Sequence, residues 1–239
     1  MATWTVGEKA PVRPFAPRLR LMRRFAAVAV LLVLSLLVAT AASGRDPRLE
    51  RVQLRAADVA LAQRITLKQR DVGASWRPIR IPESTGQRLI CPGFNPDFSR
   101  FTITGKANSG FTQTRGASII SSVEVYESRA DAIGDFQTGA KPIVARCLKR
   151  SLEQELNAGG LVQVKIPVAR VVATPRVGDR RIAYRILARV EAASARLDLY
   201  LDVVVIQRGR SIAAFFFTGP SQPLRGQAQI VTAAAARMR

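Results

Sequence analysis

Between Phe25 and Ala42 the chain shows no polar rhythm: FAAVAVLLVLSLLVATAA is 18 residues without a charge, and only Ser35 and Thr40 carry a polar side chain. As a helix at 1.5 Å per residue it spans about 27 Å, close to the ~30 Å hydrocarbon core of a bilayer. It predicts a transmembrane helix over 25–43. Arg18, Arg20, Arg23 and Arg24 precede the run, and arginine-rich flanks stay cytoplasmic. Residues 1–24, with Pro11, Pro14 and Pro17 among basic side chains, read as a disordered cytoplasmic tail. Arg45, Arg48 and Arg51 beyond the run weaken the charge bias, but long domains translocate largely regardless of charge. The expected arrangement is a single-pass signal-anchor with the C-terminal domain outside. The alternative is a cleaved signal peptide, for which Ala39-Thr40-Ala41 offers small residues, leaving a secreted domain.

Residues 44–65 carry Leu49, Val52, Leu54, Val59 and Leu61 in loosely helical spacing and read as a juxtamembrane linker or helix. The domain proper is expected over 66–239. It opens on TLKQRDVGASW (66–76), where Leu67, Val72 and Trp76 can face inward and Gly73 stops the turn. A proline- and glycine-rich loop follows, Ile79–Gly93. Period-two alternation predicts strands over Phe101–Ala107 and Ser118–Glu127, joined by a wide connection that begins at Asn108-Ser109-Gly110.

Ser128 then caps the main helix, with Asp131 in its first turn. Ile133, Phe136, Ala140, Ile143, Val144, Cys147, Leu148, Leu152 and Leu156 form one apolar face, with Pro142 kinking or splitting it and Gly159-Gly160 closing it. Four β-rich runs come next: Leu161–Ala173, Ile182–Val190, Leu197–Ile206 and Ile212–Thr218. Arg208-Gly209 and the Ala192–Ala195 stretch are the turns of an antiparallel meander with one face partly wet. Leu224–Met238 reads as a closing helix packed on the core. The expected fold class is therefore α+β: an antiparallel sheet carrying a long kinked helix and a C-terminal helix, preceded by one transmembrane helix.

Charge changes the list of partners. The chain has 37 basic and 17 acidic residues, a formal net charge of +20, and 31 of the basic residues are arginine. Such an excess favours anionic partners, but the arginines are scattered, without the clustered stripe of a groove binder. We read the excess as largely compositional and expect no nucleic acid. There is no histidine. Its absence removes Ser-His-Asp triads, Cys-His pairs and HExxH zinc sites. No glycine-rich phosphate loop, Ser-x-x-Lys or EF-hand is present, and no cofactor is expected. Glu124, Glu127, Asp131 and Asp135 lie close together, and we read them as the wet face of a strand and the first turns of a helix. Asp198 and Asp202 are expected on a strand's outer face, opposite Arg185 or Arg189.

The only two cysteines are Cys91, in the loop, and Cys147, on the inward face of the main helix. In an oxidising compartment they are expected to pair. Closing a loop of about 57 residues contributes roughly 4 kcal/mol in the chain-entropy model. A zinc site without histidine and a redox pair without C-x-x-C spacing are the poorer alternatives.

Asp71-Val72-Gly73-Ala74-Ser75-Trp76, the strand SSVEVYES, Ala130-Asp131-Ala132 and Cys147-Leu148 together resemble the extracytoplasmic sensor-type domain of some actinobacterial membrane serine/threonine kinases and their anchored, kinase-less relatives. The resemblance spans roughly Thr66–Arg239. It implies a mixed antiparallel sheet with helices, disulfide bonding and an unidentified ligand. The 24-residue tail is too short for a kinase domain, so kinase signalling does not carry over.

The function expected from the residues is non-enzymatic: a membrane-anchored, sensor-like module holding a small apolar ligand or an anionic envelope component. The concave face between sheet and main helix is the expected place for such a ligand. The alternatives are electrostatic attachment to anionic envelope polymers, or a carboxylate hydrolase, which needs two inward acids about 5–10 Å apart in a cleft. A phosphatase reporter that works only outside the cytoplasm is expected to be active when fused after Arg239 and inactive when fused before Met1. The reverse pattern overturns the topology.

Overall fold

A computed structural model describes residues 46–82, 88–114, 116–158, 163–192 and 195–238. The expected tail (1–24) and transmembrane helix (25–43) lie outside these residues, as does the Gly159-Gly160 helix stop. No helix among the described residues is long and apolar enough to cross a membrane.

The elements in chain order are β1 (Arg51–Val52), α1 (Ala56–Ile65), the single turn α2 (Gln69–Val72), β2 (Arg77–Ile79), β3 (Thr102–Thr112), β4 (Ser118–Tyr126), α3 (Arg129–Gly139), α4 (Ile143–Ala158), β5 (Gln163–Val171), β6 (Arg180–Ala192), β7 (Ala195–Arg208), β8 (Ser211–Pro220) and α5 (Gln227–Ala235). The α+β class holds. Eight strands form one sheet in the order β1-β3-β4-β8-β7-β6-β5, with β2 also on β3. The sheet is mixed rather than wholly antiparallel, because the two-residue β1 runs parallel to the start of β3. The meander β6-β7-β8 is antiparallel as expected, and β8 returns beside β4 to close the order.

Helices cover both faces of the sheet. On one, Ala62 and Ile65 of α1 and Ile230, Val231 and Ala234 of α5 pack against Val123, Phe215 and Phe217. On the other, Phe136 of α3 and Val144 and Cys147 of α4 pack against Tyr184, Val203 and Ile212. This explains why IAAFFFT is apolar on both faces: Phe215 and Phe217 face one layer and Phe216 the other. The long helix is split, not bent. α3 ends at Gly139, and α4 begins just after Pro142, whose missing N–H falls where no helical partner is needed. The Tyr184 hydroxyl donates to the Gly139 carbonyl at 2.7 Å and satisfies the broken end.

Three expectations change. Asn108-Ser109-Gly110 does not start a connection; it lies inside β3, paired with Ser122-Ser121-Ile120. Gly110 is needed there for space, because a Cβ would collide with the Ile81 side chain. Asp202 is not on a wet outer face but is 2% exposed. It accepts a two-pronged contact from Arg185 (2.7 and 2.8 Å) and a hydrogen bond from Gln227 at the start of α5 (2.6 Å). The sister pair Arg189–Asp198 forms at 3.0 Å, as alternation predicts. Residues 44–65, expected as a linker or helix ahead of the body, supply β1 and α1, and α1 enters the core.

The seating of α1 is electrostatic as well as apolar. Asp58 is 7% exposed. Arg210, in the turn between β7 and β8, reaches it with Nη2 at 2.8 Å and Nη1 at 3.3 Å, and Thr104 Oγ1 donates to it at 2.6 Å. The Arg210 hydrogen bonds, then that of Thr104, hold the Asp58 carboxyl below its usual range against the opposing effect of burial. A register shift between Ile103 and Gly105 brings Thr104 to this side. Gly105 lets the helix backbone close on the strand, since a Cβ would collide with the Asp58 carbonyl. At the other end, Arg237 grips Asp71 at 2.7 and 3.0 Å, tying the DVGASW turn to the C-terminus. Gly105→Ala is expected to cost about 3 kcal/mol, the upper end of overpacking effects, read as a lower urea midpoint of the full chain; an unchanged midpoint would show that α1 is not seated this closely.

Candidate functional site

Two features on the α3–α4 face carry chemistry. The first grows out of β4. Alternation places Glu124 and Tyr126 on the same side, and α3 lays Asp135 across them. The Tyr126 hydroxyl lies 2.7 Å from Asp135 Oδ2 and 3.1 Å from Glu124 Oε2, while Glu124 Oε1 faces Lys106 Nζ at 3.8 Å. Burial first, then the charges of Glu124 and Glu50, push Asp135 up to about 7, against the opposing effect of the Tyr126 hydrogen bond. Burial also pushes the Tyr126 phenol up. A hydroxyl has one proton to give. With Asp135 protonated, Asp135 donates to the phenolic oxygen and Tyr126 donates to Glu124, giving an ordered relay that ends at Lys106.

The other two acids of the group are structural. Ser128 Oγ accepts the Asp131 N–H at 3.0 Å, and Asp131 in turn accepts the Thr102 N–H at 3.2 Å. Glu127 pairs with Arg55 at the surface. Thus the sequence grouping of four carboxylates divides into two, and only Glu124 and Asp135 converge. They do not bracket open space, because the fully buried Tyr126 stands between them. Among the described residues, no group of three or more Cys, Asp or Glu could hold a metal ion.

The second feature is built on the disulfide. Cys91-Pro92-Gly93-Phe94 is a tight turn closed by Cys91 N–H to Phe94 O (2.9 Å) and Phe94 N–H to Cys91 O (2.8 Å). Gly93 takes the positive φ of +82° that the third turn position demands after proline. Phe94 is buried beneath it, and the turn rests on Ile143. The bond joins Cys91 to Cys147, with a Cα–Cα separation of 5.5 Å, and Cys147 is completely buried. The disulfide therefore pins the loop to α4, as the inward position of Cys147 predicts. Beside it lies a pocket of about 250 Å³ lined by Cys91, Pro92, Ile143, Arg146 and Arg150.

The space directly between sheet and helix, expected to be concave, is filled in this region by Leu89, Phe94, Tyr184, Val203 and Phe216; the pocket opens at its rim. Arg146 and Arg150 drew no attention in the sequence. A basic pair spaced i, i+4 and flanking Cys147 was the available signal, diluted by arginine everywhere else. A scan against protein-family models finds no match, and a search of curated proteins finds none either.

Asp135 makes stability depend on pH in a defined direction. Its carboxyl titrates near 3.8 when unfolded and at about 7 when folded, so the folded state binds more protons between these values. Its contribution is complete below pH 4 and is lost as pH rises towards 7. At roughly 1.4 kcal/mol per unit the loss is on the order of a few kcal/mol. Asp135→Asn is expected to leave melting at pH 4 nearly unchanged and to raise it relative to wild type at pH 8; equal shifts at both pH values would refute the assignment.

Proposed function

We propose that this chain is a membrane-anchored, extracytoplasmic binding module of the sensor type, with its ligand taken at the disulfide-walled rim of the α3–α4 face. The observation that carries the reading is the Cys91–Cys147 bond across a pocket-forming loop. Such bonds persist in oxidising compartments, in keeping with an uncharged 18-residue stretch upstream that is long enough to span a bilayer. A loop fixed to a rigid helix offers a preformed wall, which lowers the ordering cost of binding. Arg146 and Arg150 in the pocket lining favour an anionic ligand or envelope component over a neutral one.

A second reading, a carboxylate-based hydrolase of the cell envelope, has one observation in its favour: Asp135 is poised at about 7, where a general acid works. Against it stands Tyr126, whose hydroxyl occupies the place between Glu124 and Asp135 that a scissile bond would need. Native mass spectrometry of the full chain, purified in mild detergent from its own host, tests the two. A co-purifying small molecule is expected, together with a mass that does not change on alkylation before reduction. Turnover of an envelope glycan that is lost in Glu124→Gln would instead favour the hydrolase.

A further inference from the structure

We propose that the pocket beside the disulfide binds a phosphate monoester, gripped by Arg146 and Arg150 and with its carbon skeleton against Ile143, Pro92 and the Cys91–Cys147 bond. The assignment rests on the reading of the chain as a binding module and names what that module takes.

The two guanidinium groups project from one side of α4, one turn apart, and both line the pocket. Among the described residues neither has a hydrogen-bond or ion-pair partner. Other surface arginines also lack an acidic partner among the described residues; what distinguishes these two is that both line one pocket, whereas Arg185, Arg189, Arg210 and Arg237 each hold an aspartate. The acid three residues on from Arg150 does not serve them. Glu153 turns towards β5, where its Oε1 accepts the Ile166 N–H at 2.7 Å. Among the described residues, no carboxylate lines the pocket. The described lining thus carries two fixed positive charges and no negative one.

Ligand chemistry follows from that count. A phosphate monoester carries a charge of about −1.5 to −2 near neutral pH, with three strong acceptor oxygens. It can neutralise both arginines, each meeting it through a planar two-pronged fork. A single carboxylate supplies half that charge. The remaining walls are apolar, so the ester's first carbons are recognised rather than a second polar group. About 250 Å³ is smaller than the ~300–1,000 Å³ of drug-sized sites, which fits a short ester or a lipid headgroup. The disulfide sets the pocket's width, because it alone ties the Cys91-Pro92 wall covalently to the helix bearing the arginines. Reduction should therefore loosen the grip without unfolding the sheet.

The test is calorimetric titration of the full chain in a neutral detergent with glycerol 3-phosphate, with short-chain phosphatidic acid, and with glycerol as control. At least one phosphate probe is expected to bind and glycerol not to bind. Tighter binding of phosphatidic acid assigns a lipid headgroup, and tighter or equal binding of glycerol 3-phosphate assigns a soluble ester. The double variant Arg146→Gln/Arg150→Gln alters exposed side chains and should melt like wild type while losing at least tenfold in affinity. Treatment with a phosphine reductant should weaken binding several-fold. Unchanged affinity in the double variant, or no binding of either phosphate probe, overturns the site. A co-purifying ligand without phosphorus that neither probe displaces overturns it while leaving the binding-module reading intact; the absence of any ligand on any probe removes both.

Discussion

Asp58 is a charge buried on the inner side of its own helix, α1, and the seating of that helix depends on how it is neutralised. Arg210 arrives from a turn 152 positions away in the sequence and meets it with two nitrogens. The same guanidinium donates to the Tyr126 carbonyl at 2.8 Å, and the Arg210 carbonyl accepts the Tyr126 N–H at 2.8 Å. The side chain of Tyr126 emerges on the opposite face, where it orders Glu124 and Asp135. One short stretch of β4 thereby connects the helical layers on both sides of the sheet. Asp58 is taken out of water while Arg210 stays 40% exposed, so this half-buried contact specifies which helix lies where more than it adds to stability.

The two faces solve different problems. The α1–α5 face is closed by apolar packing and by two arginine–aspartate clamps, Arg210–Asp58 and Arg237–Asp71. The α3–α4 face is closed by a covalent bond. A loop with two prolines and a glycine between Leu89 and Pro96 has few backbone partners of its own beyond the Cys91–Phe94 turn, and the disulfide holds it on α4 in place of a hydrogen-bonded ladder. Here two arginines, Arg146 and Arg150, line one pocket with no acidic partner among the described residues. A fixed loop, two arginines without an acidic partner among the described residues and an adjoining pocket occur together at one rim.

The carboxylates illustrate how burial redistributes chemistry. Four acids within twelve positions divide into a helix cap, a surface ion pair, and a pair sharing a phenol. Only the last perturbs protonation near neutral pH, and it does so because Asp135 is partly buried beside other negative charge. Shared hydrogen bonding through Tyr126 makes this a structural relay, with the phenol filling the space between the two carboxylates.

Most of the secondary structure was legible along the chain, since it depends on local spacing: the alternation of β6 and β7, the apolar face of α3 and α4, Ser128 as a cap, Pro142 as a break. The cross-strand partners of Asp198 and Asp202 and the pairing of Cys91 with Cys147 were legible too, because turn length and the shortage of alternatives left few choices. The Asn108-Ser109-Gly110 stretch misled, because a glycine that accommodates Ile81 looks, locally, like a glycine that makes a turn. What only the tertiary structure decided was long-range: that α1 belongs to the core through Asp58 and Arg210, that Asp202 is buried under α5, and that Arg146 and Arg150 line one pocket beside the disulfide with no acidic partner among the described residues. Local spacing determines which side chains share a face. Which faces meet, and so which charges are left without a partner, depends on contacts between residues far apart in the chain.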